Sequence, residues 1–334
     1  MNSFANKNIA ITGGTGSIGS VLVKRLISEK PRSIRVLSND ENGLFELSQE
    51  LQDHDSLRFL YADVRDSDRL NLAFKEVDYI FHAAAMKHVP ICEYNPFEAH
   101  QTNVLGTENV IQAALRNGVR KVITISTDKA VNPSTTMGAT KLLAERLTID
   151  GNNYKGKSKS MFSCVRFGNV LASRGSVFPI FKKQINLGQE LSITDKGMTR
   201  FFMSIEQAVD LVIEASQIMR GREIFILKSQ SSVKIIDLAK ALANYYSSDK
   251  KIKIIEIGKR PNEKLYEELL DSEEKQRALE TNDMFIILPY VASNEDEKFY
   301  SASTIKQDSL YRSDKMPFLA EKEIINVLLE QNLI

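Results

Sequence analysis

The sequence predicts an α/β protein with a doubly wound, mostly parallel sheet and a smaller C-terminal α/β subdomain. Three observations lead to this prediction. Short β-branched runs alternate with stretches whose apolar residues recur at helical spacing. A glycine-rich loop joins the first such run to the first helical stretch. Polar residues gather where several runs end, which in an open parallel sheet is the edge at which ligands bind.

The composition is that of a globular protein without a marked charge bias. Of 334 residues, 43% are hydrophobic and 26% charged, and 44 Lys and Arg face 43 Asp and Glu. This balance predicts no nucleic-acid partner. Cys92 and Cys164 lie far apart without metal-ligand spacing, so we expect buried thiols in a reducing compartment and no metal site. The N-terminus has no signal-like apolar stretch and no run approaches a membrane span, so we expect a cytoplasmic protein without a membrane anchor.

The first strand and the loop after it predict a dinucleotide site. An apolar run, Asn8–Thr12, precedes glycines 13, 16 and 19, and a helix is predicted from 17 to 28. Glycines at this spacing let the backbone turn tightly and approach a pyrophosphate, which then rests on the helix N-terminus. A P-loop is disfavoured because no Gly-Lys-Ser/Thr follows.

The second strand, predicted at 34–37, indicates which dinucleotide is bound. It ends in Ser38 and Asn39, where the adenosine ribose is expected. An acidic residue at the first of these positions would repel a 2′-phosphate, so Ser38 favours NADP. Because Asn39 brings no positive charge, NAD stays open as the less favoured alternative.

The third and fourth strands end in further candidate cofactor contacts. After the strand at 57–61, Asp63 and Val64 are expected to meet the adenine edge, to belong to the cap of a helix predicted at 66–74, or to do both. The strand at 79–82 opens into three alanines, whose small side chains let a cofactor pass close to the backbone.

The segment after these alanines predicts a loop and then a long helix. The loop, 86–90, is expected to face the substrate with Lys87 and His88, although a lone histidine is more often structural. A helix is predicted at 96–117, and the polar Asn103 in its middle is expected to hold a backbone kink or a water.

The central stretch of the chain brings three reactive groups to one strand end. An apolar run, Val122–Ile125, is followed by Ser-Thr-Asp-Lys, so Thr127, Asp128 and Lys129 lie at the carboxyl end of a buried strand. The alternative is a polar strand-to-helix loop with solvated charges. The helix that follows carries Met137 and Lys141 four residues apart, hence on one face.

The rest of the chain predicts a second, smaller subdomain whose segments alternate along the sequence with those of the first domain. We assign residues 1–168 plus 206–228 to the dinucleotide-binding domain and 169–205 plus 229–334 to a smaller substrate subdomain. Strands are predicted at 161–165, 223–227, which should rejoin the main sheet, and 252–257. Helices are predicted at 180–187, 205–219, 235–246, 263–270 and 321–331, and residues 291–334 are polar outside the last of these.

Eight segments give the chain a resemblance to a known family. They are GGTGSIG, AAAMKHVP, TNVLGTENV, STDKAVNP, MGATK, RFGNVLASRGSV, TRFFM and KRPNEKLYEEL, and they run from residue 13 to about 270. On these motifs the chain resembles the extended short-chain dehydrogenase/reductases, which have a Rossmann domain. More closely, it is similar to the inverting nucleotide-sugar 4,6-dehydratases of surface-glycan pathways.

The resemblance implies roles for individual residues. The cofactor contacts that it implies are Gly13, Thr15, Gly16, Ser17, Ile18, Gly19, Ser38, Asn39, Asp63, Val64, Ala83, Ala84, Ala85 and Lys141. The substrate contacts are Lys87, Asn169, Arg200, Arg260 and Glu263, with His88 in the same loop as Lys87. Thr127, Asp128 and Lys129 would meet the hexose, and Met137 stands where most members carry the active-site tyrosine.

The resemblance also implies a reaction. A nucleotide-activated N-acetylhexosamine, UDP-N-acetylglucosamine above all, would lose water between C5 and C6 with inversion at C5. We expect Asp128 to be the acid and Lys129 the base, with the pKa of Lys129 lowered by desolvation or by the charge of Lys141. The NADP would be regenerated each cycle and stay bound, and the protein would form homo-oligomers, dimers or larger.

Two departures from the family pattern keep alternatives open. Met137 cannot transfer a proton, which leaves the group that deprotonates the C4 hydroxyl unassigned, and Asn39 replaces an arginine common in similar members. The alternatives are a nucleotide-sugar epimerase or reductase of the same fold, or a non-catalytic dinucleotide-sensing module. The adjacent Asp128 and Lys129, which a sensor would not need, argue against the last.

Overall fold

The structure, a computed structural model, describes residues 3–52, 54–228, 231–246, 252–290, 298–300, 303–304 and 311–334. Parts of the segment 291–334, which the sequence predicts to be largely polar, lie outside the described residues. None of the helices in the described ranges is long and apolar enough to span a membrane.

The elements follow the α/β alternation expected from the sequence. The strands are β1 (Asn8–Thr12), β2 (Ser33–Ser38), β3 (Leu57–Tyr61), β4 (Tyr79–His82), β5 (Lys121–Thr127), β6 (Met161–Phe167), β7 (Asn169–Val170), β8 (Leu191–Ile193), β9 (Thr199–Met203), β10 (Ile224–Leu227), β11 (Ser231–Lys234), β12 (Ile254–Glu256), β13 (Ala278–Glu280), β14 (Met284–Ile287) and β15 (Ser303–Thr304). The helices are α1 (Ser17–Ile27), α2 (Glu41–Glu50), α3 (Ser67–Ala73), α4 (Val89–Tyr94), α5 (Pro96–His100), α6 (Gly106–Arg116), α7 (Thr136–Asp150), α8 (Val177–Asn186), α9 (Ile205–Ile218), α10 (Ile235–Tyr246) and α11 (Glu321–Glu330).

The main sheet is mostly parallel and doubly wound, as predicted. Its order is β15-β13-β14-β10-β6-β5-β4-β1-β2-β3. From β3 to β10 neighbouring strands run parallel, and β14, β13 and β15 add antiparallel to that edge. The predicted return of the chain to the sheet is confirmed, since β10 pairs with β6. The winding direction reverses between β1 and β4, which is the switch point where such sheets bind ligands.

The strands of the main sheet consist mostly of apolar residues because helices cover both faces of the sheet. Ile9, Ala10 and Ile11 of β1 are fully buried. Helices α1 and α9 supply one apolar cluster against the sheet, and α3 and α6 supply a second. A parallel sheet covered on both faces is expected to show continuous apolar runs rather than alternation.

A second, smaller group of elements has its own apolar cluster. Strands β11, β9 and β7 form one small sheet, β12 pairs with β8, and helices α8, α10 and α11 pack around them. The sequence assigns residues 229–334 to this subdomain, but β13, β14 and β15 extend the main sheet instead. The chain therefore crosses between the two parts more often than predicted.

The predicted helix at 263–270 is wrong, because the backbone groups of this segment bond to other parts of the chain. The carbonyl of Leu265 accepts from the amide of Thr199 at 2.8 Å. The carbonyl of Glu267 accepts from the amide of Ser313 at 2.9 Å. A carbonyl that accepts a hydrogen bond from a distant amide in this way does not make the i→i−4 hydrogen bond of a helix.

The helix is interrupted at Asn103, where a kink was predicted, but the Asn103 side chain bonds other segments and not the helix backbone. A π-helical turn, Gln101–Leu105, separates α5 from α6. The Asn103 amide oxygen accepts from the amide of Met86 at 2.7 Å, and its nitrogen donates to the carbonyl of Met86 and to Thr140 Oγ1, both at 3.0 Å. Asn103 thus connects Met86, the first residue of the loop 86–90, to α7.

Candidate active site

The glycine loop forms a cradle at the switch point. Gly13 has φ +66°, and a Cβ on it would lie 2.7 Å from the Ala84 amide nitrogen, so only glycine lets the two loops approach this closely. The N-cap of α1 is Gly16, and no side chain of the described residues caps that helix. Its first amides are therefore free for a pyrophosphate. These features fit a dinucleotide.

The predicted adenosine contacts lie together at the ends of β2 and β3. Ser38 Oγ is 2.7 Å from Thr15 Oγ1, and Asn39 Nδ2 donates to Asp63 Oδ2 at 3.1 Å. Hydrogen bonds from Arg65 hold the pKa of Asp63 below its usual range. The side chain that caps α3 is Asp66, so Asp63 does not serve as the N-cap of that helix.

The two predicted residues of α7 are both buried on it. Met137 is 4% exposed and packs with Cys92 and Ala99, where a thioether serves only as apolar filling. Lys141 Nζ donates to the carbonyl oxygen of Ile125 at 2.6 Å, and burial lowers its pKa. Lys141 is therefore held against β5, below the reactive strand end.

The centre of the site is a hydrogen-bonded cluster at the end of β5. Thr127 Oγ1 donates to Asp128 Oδ1 at 2.8 Å, and Lys129 Nζ donates to the same oxygen at 2.9 Å. Lys129 Nζ also donates to Asn169 Oδ1 at 3.0 Å. The sequence prediction that these groups converge is confirmed by this geometry, and the alternative of a solvated loop is wrong because Asp128 is fully buried.

The cluster continues as alternating charges into the second part of the chain. Lys129 Nζ lies 3.6 Å from Glu267 Oε1, and that oxygen lies 3.7 Å from Arg200 Nε. Arg200 Nη2 is in turn 3.8 Å from Glu263 Oε1. The series therefore runs acid, base, acid, base, acid from Asp128 to Glu263.

The pKa of Lys129 is raised, whereas the sequence predicted that it would be lowered. Burial lowers its pKa, but Asp128 and then Glu267 raise it, and the balance lies above the usual lysine value. Lys141 is not among the charges that act on it. The expectation of a pKa lowered by desolvation or by Lys141 is therefore wrong, because two carboxylates flank the ammonium group.

A cavity of about 290 Å³ lies in front of this cluster. Its lining includes Lys129 and all six predicted substrate-binding residues, namely Lys87, His88, Asn169, Arg200, Arg260 and Glu263. Glu267 belongs to the same wall. The structure thus gathers residues that lie as far as 180 positions apart, from Lys87 to Glu267, around one cavity.

The two predicted arginines have different surroundings. Arg200 is 6% exposed, and its guanidinium donates to the carbonyls of Thr199, Lys264 and Leu265 at 2.7, 2.9 and 3.2 Å. Most of its donors are therefore already engaged within the protein. Arg260 is exposed at the cavity wall, which leaves its guanidinium better placed to meet an anion.

Sequence reasoning missed Glu267. The only signal in the sequence is its place in the segment KRPNEKLYEEL, where it sits inside the wrongly predicted helix. It is 3% exposed, and within the described residues its Oε2 has no hydrogen-bond partner.

Comparisons with known proteins identify the family of this chain. Residues 9–289 match the family described as polysaccharide biosynthesis protein. A Methanocaldococcus jannaschii protein named an uncharacterized membrane protein is 51% identical, over 98% of this chain and 97% of that protein. A Campylobacter jejuni protein named UDP-N-acetylglucosamine 4,6-dehydratase (inverting) is 43% identical, over 97% of this chain and 98% of its own. A Rickettsia canadensis protein named UDP-glucose 4-epimerase is also 43% identical, over 85% and 83%.

A solved structure shares the whole fold. The X-ray structure of Pen from Bacillus thuringiensis superposes with a TM-score of 0.93 at 42% identity, covering 99% of each chain. Two more distant structures share the fold. DesIV, a dTDP-glucose 4,6-dehydratase from Streptomyces venezuelae, has a TM-score of 0.72 at 20% identity, and a UDP-glucose 4-epimerase from Thermotoga maritima has a TM-score of 0.66 at 21% identity, each covering 88% of this chain and 97% of its own. The chain therefore belongs to the polysaccharide biosynthesis protein family and has the Rossmann fold of the extended short-chain dehydrogenase/reductases.

Proposed function

We propose that this chain is an inverting 4,6-dehydratase that uses NADP and acts on UDP-N-acetylglucosamine. The observation that carries the proposal is the buried ion pair of Asp128 and Lys129 at the end of β5, facing a cavity lined with cations. The product would be a 4-keto-6-deoxy sugar nucleotide for surface polysaccharide. The Campylobacter relative with this name supports the assignment over nearly the full length.

The reaction divides between the cofactor and the chain. When bound, the nicotinamide supplies the acceptor for the C4 hydride and the donor that returns it to C6. The residues of the chain must remove the C5 proton and protonate the C6 hydroxyl as it leaves. Both tasks are general acid–base catalysis, which requires an acid and a base within hydrogen-bond reach.

One proton shift prepares both groups. The resting pair is an Asp128 carboxylate and a Lys129 ammonium, joined at 2.9 Å. Moving one proton along this hydrogen bond produces a carboxylic acid and a free amine, with no change in total charge. The amine of Lys129 then accepts the C5 proton, the acid gives its proton to the leaving hydroxyl, and the ion pair is restored. C5 then takes a proton from water on the opposite face, which inverts it and balances the proton that the C4 hydroxyl gives up to water when C4 is oxidised.

The buried position of Asp128 gives Thr127 a role. Asp128 is fully buried, whereas Thr127 is partly exposed and bonds Asp128 Oδ1 at 2.8 Å. We assign the Thr127 hydroxyl as the group that passes a proton to the leaving oxygen while it takes one from Asp128. A hydroxyl can do both because it donates and accepts at once.

The proposal is tested by incubating the purified protein with UDP-N-acetylglucosamine and following the loss of one water by mass spectrometry. In D₂O the product should carry deuterium at C5, with the C4 hydrogen moved to C6. Asp128→Asn should slow turnover by about 10² or more, the usual scale for a lost acid–base group. A product that keeps its C5 configuration would end the inverting assignment.

The choice of NADP is a separate part of the proposal. Ser38 places a hydroxyl, not a carboxylate, at the ribose end, and Arg65 lies close by on Asp63. Because the hydride is returned in each cycle, we expect the nucleotide to stay bound through purification. Denaturing the protein and identifying the released nucleotide by chromatography tests this, and mostly NAD would overturn the choice of NADP.

A 4-epimerase is the second candidate function, because the Rickettsia relative carries that name. Both reactions need a proton acceptor for the C4 hydroxyl, so the buried Met137 at the position of the usual tyrosine does not separate them. The two reactions differ in product mass, since epimerisation changes none. A sensing module would show neither a new mass nor exchange at C5.

We also propose that the protein forms homo-oligomers and works in the cytoplasm. Helices α4 and α5 expose Ile91, Tyr94 and Phe97, which are 52%, 87% and 82% exposed. Apolar side chains grouped on one surface mark contact sites. Light scattering of the wild type and of Tyr94→Ser/Phe97→Ser tests the assembly, and the two buried thiols are in keeping with a reducing compartment.

A further inference from the structure

The ammonium group of Lys129 makes two hydrogen bonds and one longer ion pair. Asp128 Oδ1 and Asn169 Oδ1 accept the two hydrogen bonds at 2.9 and 3.0 Å. The third neighbour is Glu267 Oε1 at 3.6 Å. A lysine ammonium has three donors and no acceptor, so two of its hydrogens are bonded here and a carboxylate lies at ion-pair distance as a further neighbour.

Glu267 is itself held rigidly. Its amide donates to Ser313 Oγ at 3.0 Å, and its carbonyl accepts from the Ser313 amide at 2.9 Å. Its Oε1 also lies 3.7 Å from Arg200 Nε. Ser313 therefore fixes the backbone of Glu267, and the Glu267 carboxylate lies at ion-pair distance from both Lys129 and Arg200.

We propose that Glu267 is a positioning residue that holds Lys129 as an ammonium ion at the cavity wall until substrate binds. Its importance for turnover rests on the proposed function, whereas its effect on Lys129 does not. Asp128 alone could hold Lys129 on the strand side of the site. Glu267 lines the cavity and Asp128 does not, so the ion pair with Glu267 is the charged contact that holds the amine at the cavity wall.

The charges around the two groups are consistent with this role. Lys129 faces Asp128 and Glu267, with Arg200 as the opposing cation. Glu267 faces Lys129, Arg200 and Lys264, with Asp128 as the opposing anion. Burial raises the pKa of Glu267, and Lys129 is the first of the cations that counter this.

The substitution Glu267→Gln removes the negative charge of the side chain while keeping its size, so it tests the charge alone. The amide keeps the volume and can still accept a hydrogen bond, but Lys129 loses one of its two anionic neighbours. An opposite charge at this distance moves a pKa by about one unit or more, so the free-amine fraction of Lys129 should rise about tenfold. Arg200 should stay in place because three carbonyls bind it.

The test measures that amine directly and needs no turnover. The full-length protein is labelled with a trace of an amine-selective reagent at several pH values from about 8 to 10, below the usual lysine pKa. Mass spectrometry of the Lys129 peptide gives the labelling rate. Glu268→Gln is the matched control, because this neighbour has the same charge and bonds Asn132 instead.

We expect Lys129 to label about tenfold faster in Glu267→Gln than in the wild type and at the wild-type rate in Glu268→Gln. Glu267→Asp keeps the charge and should give an intermediate rate, which serves if the glutamine variant does not fold. Equal labelling of Lys129 in the wild type and in either Glu267 variant would overturn the proposal.

Turnover provides the second readout. With UDP-N-acetylglucosamine, Glu267→Gln should lower kcat, leave KM nearly unchanged, and move the limb of the pH profile that belongs to Lys129 towards acid. A loss of kcat with no shift of that limb would show a merely structural role and overturn the proposal. If the wild type does not dehydrate this substrate, the proposed function fails, while the labelling result still decides the role of Glu267.

Discussion

Replacing Lys129 with methionine should destabilise the fold in a pH-dependent way. The substitution keeps the length of the side chain but removes the ammonium between Asp128 and Glu267, whose side chains are 0% and 4% exposed. Removing one partner of a buried ion pair costs about 3–5 kcal/mol. Because the Lys129 side chain is 23% exposed, we expect the lower end, about 3 kcal/mol at pH 8.

The sign of the pH dependence follows from Glu267. Burial already raises its pKa, and Lys129 opposes that rise. Without the ammonium, the folded variant holds a proton on Glu267 at pH values where the unfolded chain has lost it. Its stability should therefore fall as pH rises above about 4.3, the value for an unperturbed Glu, so the deficit relative to wild type is small near pH 5 and full by about pH 8.

Urea unfolding at a series of pH values, followed by far-UV circular dichroism, measures this deficit. Lys196→Met is the control, because Lys196 is 71% exposed and pairs with Glu256 on the surface. That variant should lose less than about 1 kcal/mol, with no trend in pH. A Lys129→Met variant that matches the control, or whose deficit grows towards acid, would refute the ion-pair reasoning.

Three further outcomes are expected. Arg260→Ala should raise KM for the sugar nucleotide at least about tenfold in initial-rate assays, since a guanidinium binds a diphosphate bidentately, and an unchanged KM would remove it from the site. Gly13→Ala should abolish retention of the nucleotide, measured by chromatography of the denatured protein, because φ is +66° there. Arg166→Ala should cost about 3–5 kcal/mol in urea unfolding, as it strands two buried carboxylates, Glu145 and Glu274, each now 2.7 Å from the guanidinium; a smaller loss would contradict the pairing.

Local patterns in the sequence were sufficient for most of the main sheet. The bounds predicted for β1, 8–12, and for α10, 235–246, agree with the structure. Both depend on residues that are neighbours in sequence, namely a β-branched run and an apolar stripe at helical spacing. The glycine loop was equally predictable, because the turn and the helix that need those glycines are adjacent to them.

Segments whose partners are distant in sequence were predicted less well. The stretch 263–270 has the composition of a helix, but β9 and the residue pair 311 and 313 take up its backbone groups. Strands β13 and β14 were missed for a similar reason, since they exist only as additions to the edge at β10. No local periodicity records such a pairing.

The sequence by itself determined the α/β class, the dinucleotide cradle, and the presence of Thr127, Asp128 and Lys129 at one strand end. Only the tertiary structure decided the charge state of that site. The pKa of Lys129 lies above its usual range because Asp128, at 2.9 Å, and then Glu267, 138 positions further along and 3.6 Å away, flank its ammonium group. Electrostatic energy depends on distance and burial in space, and neither is written in the order of the residues.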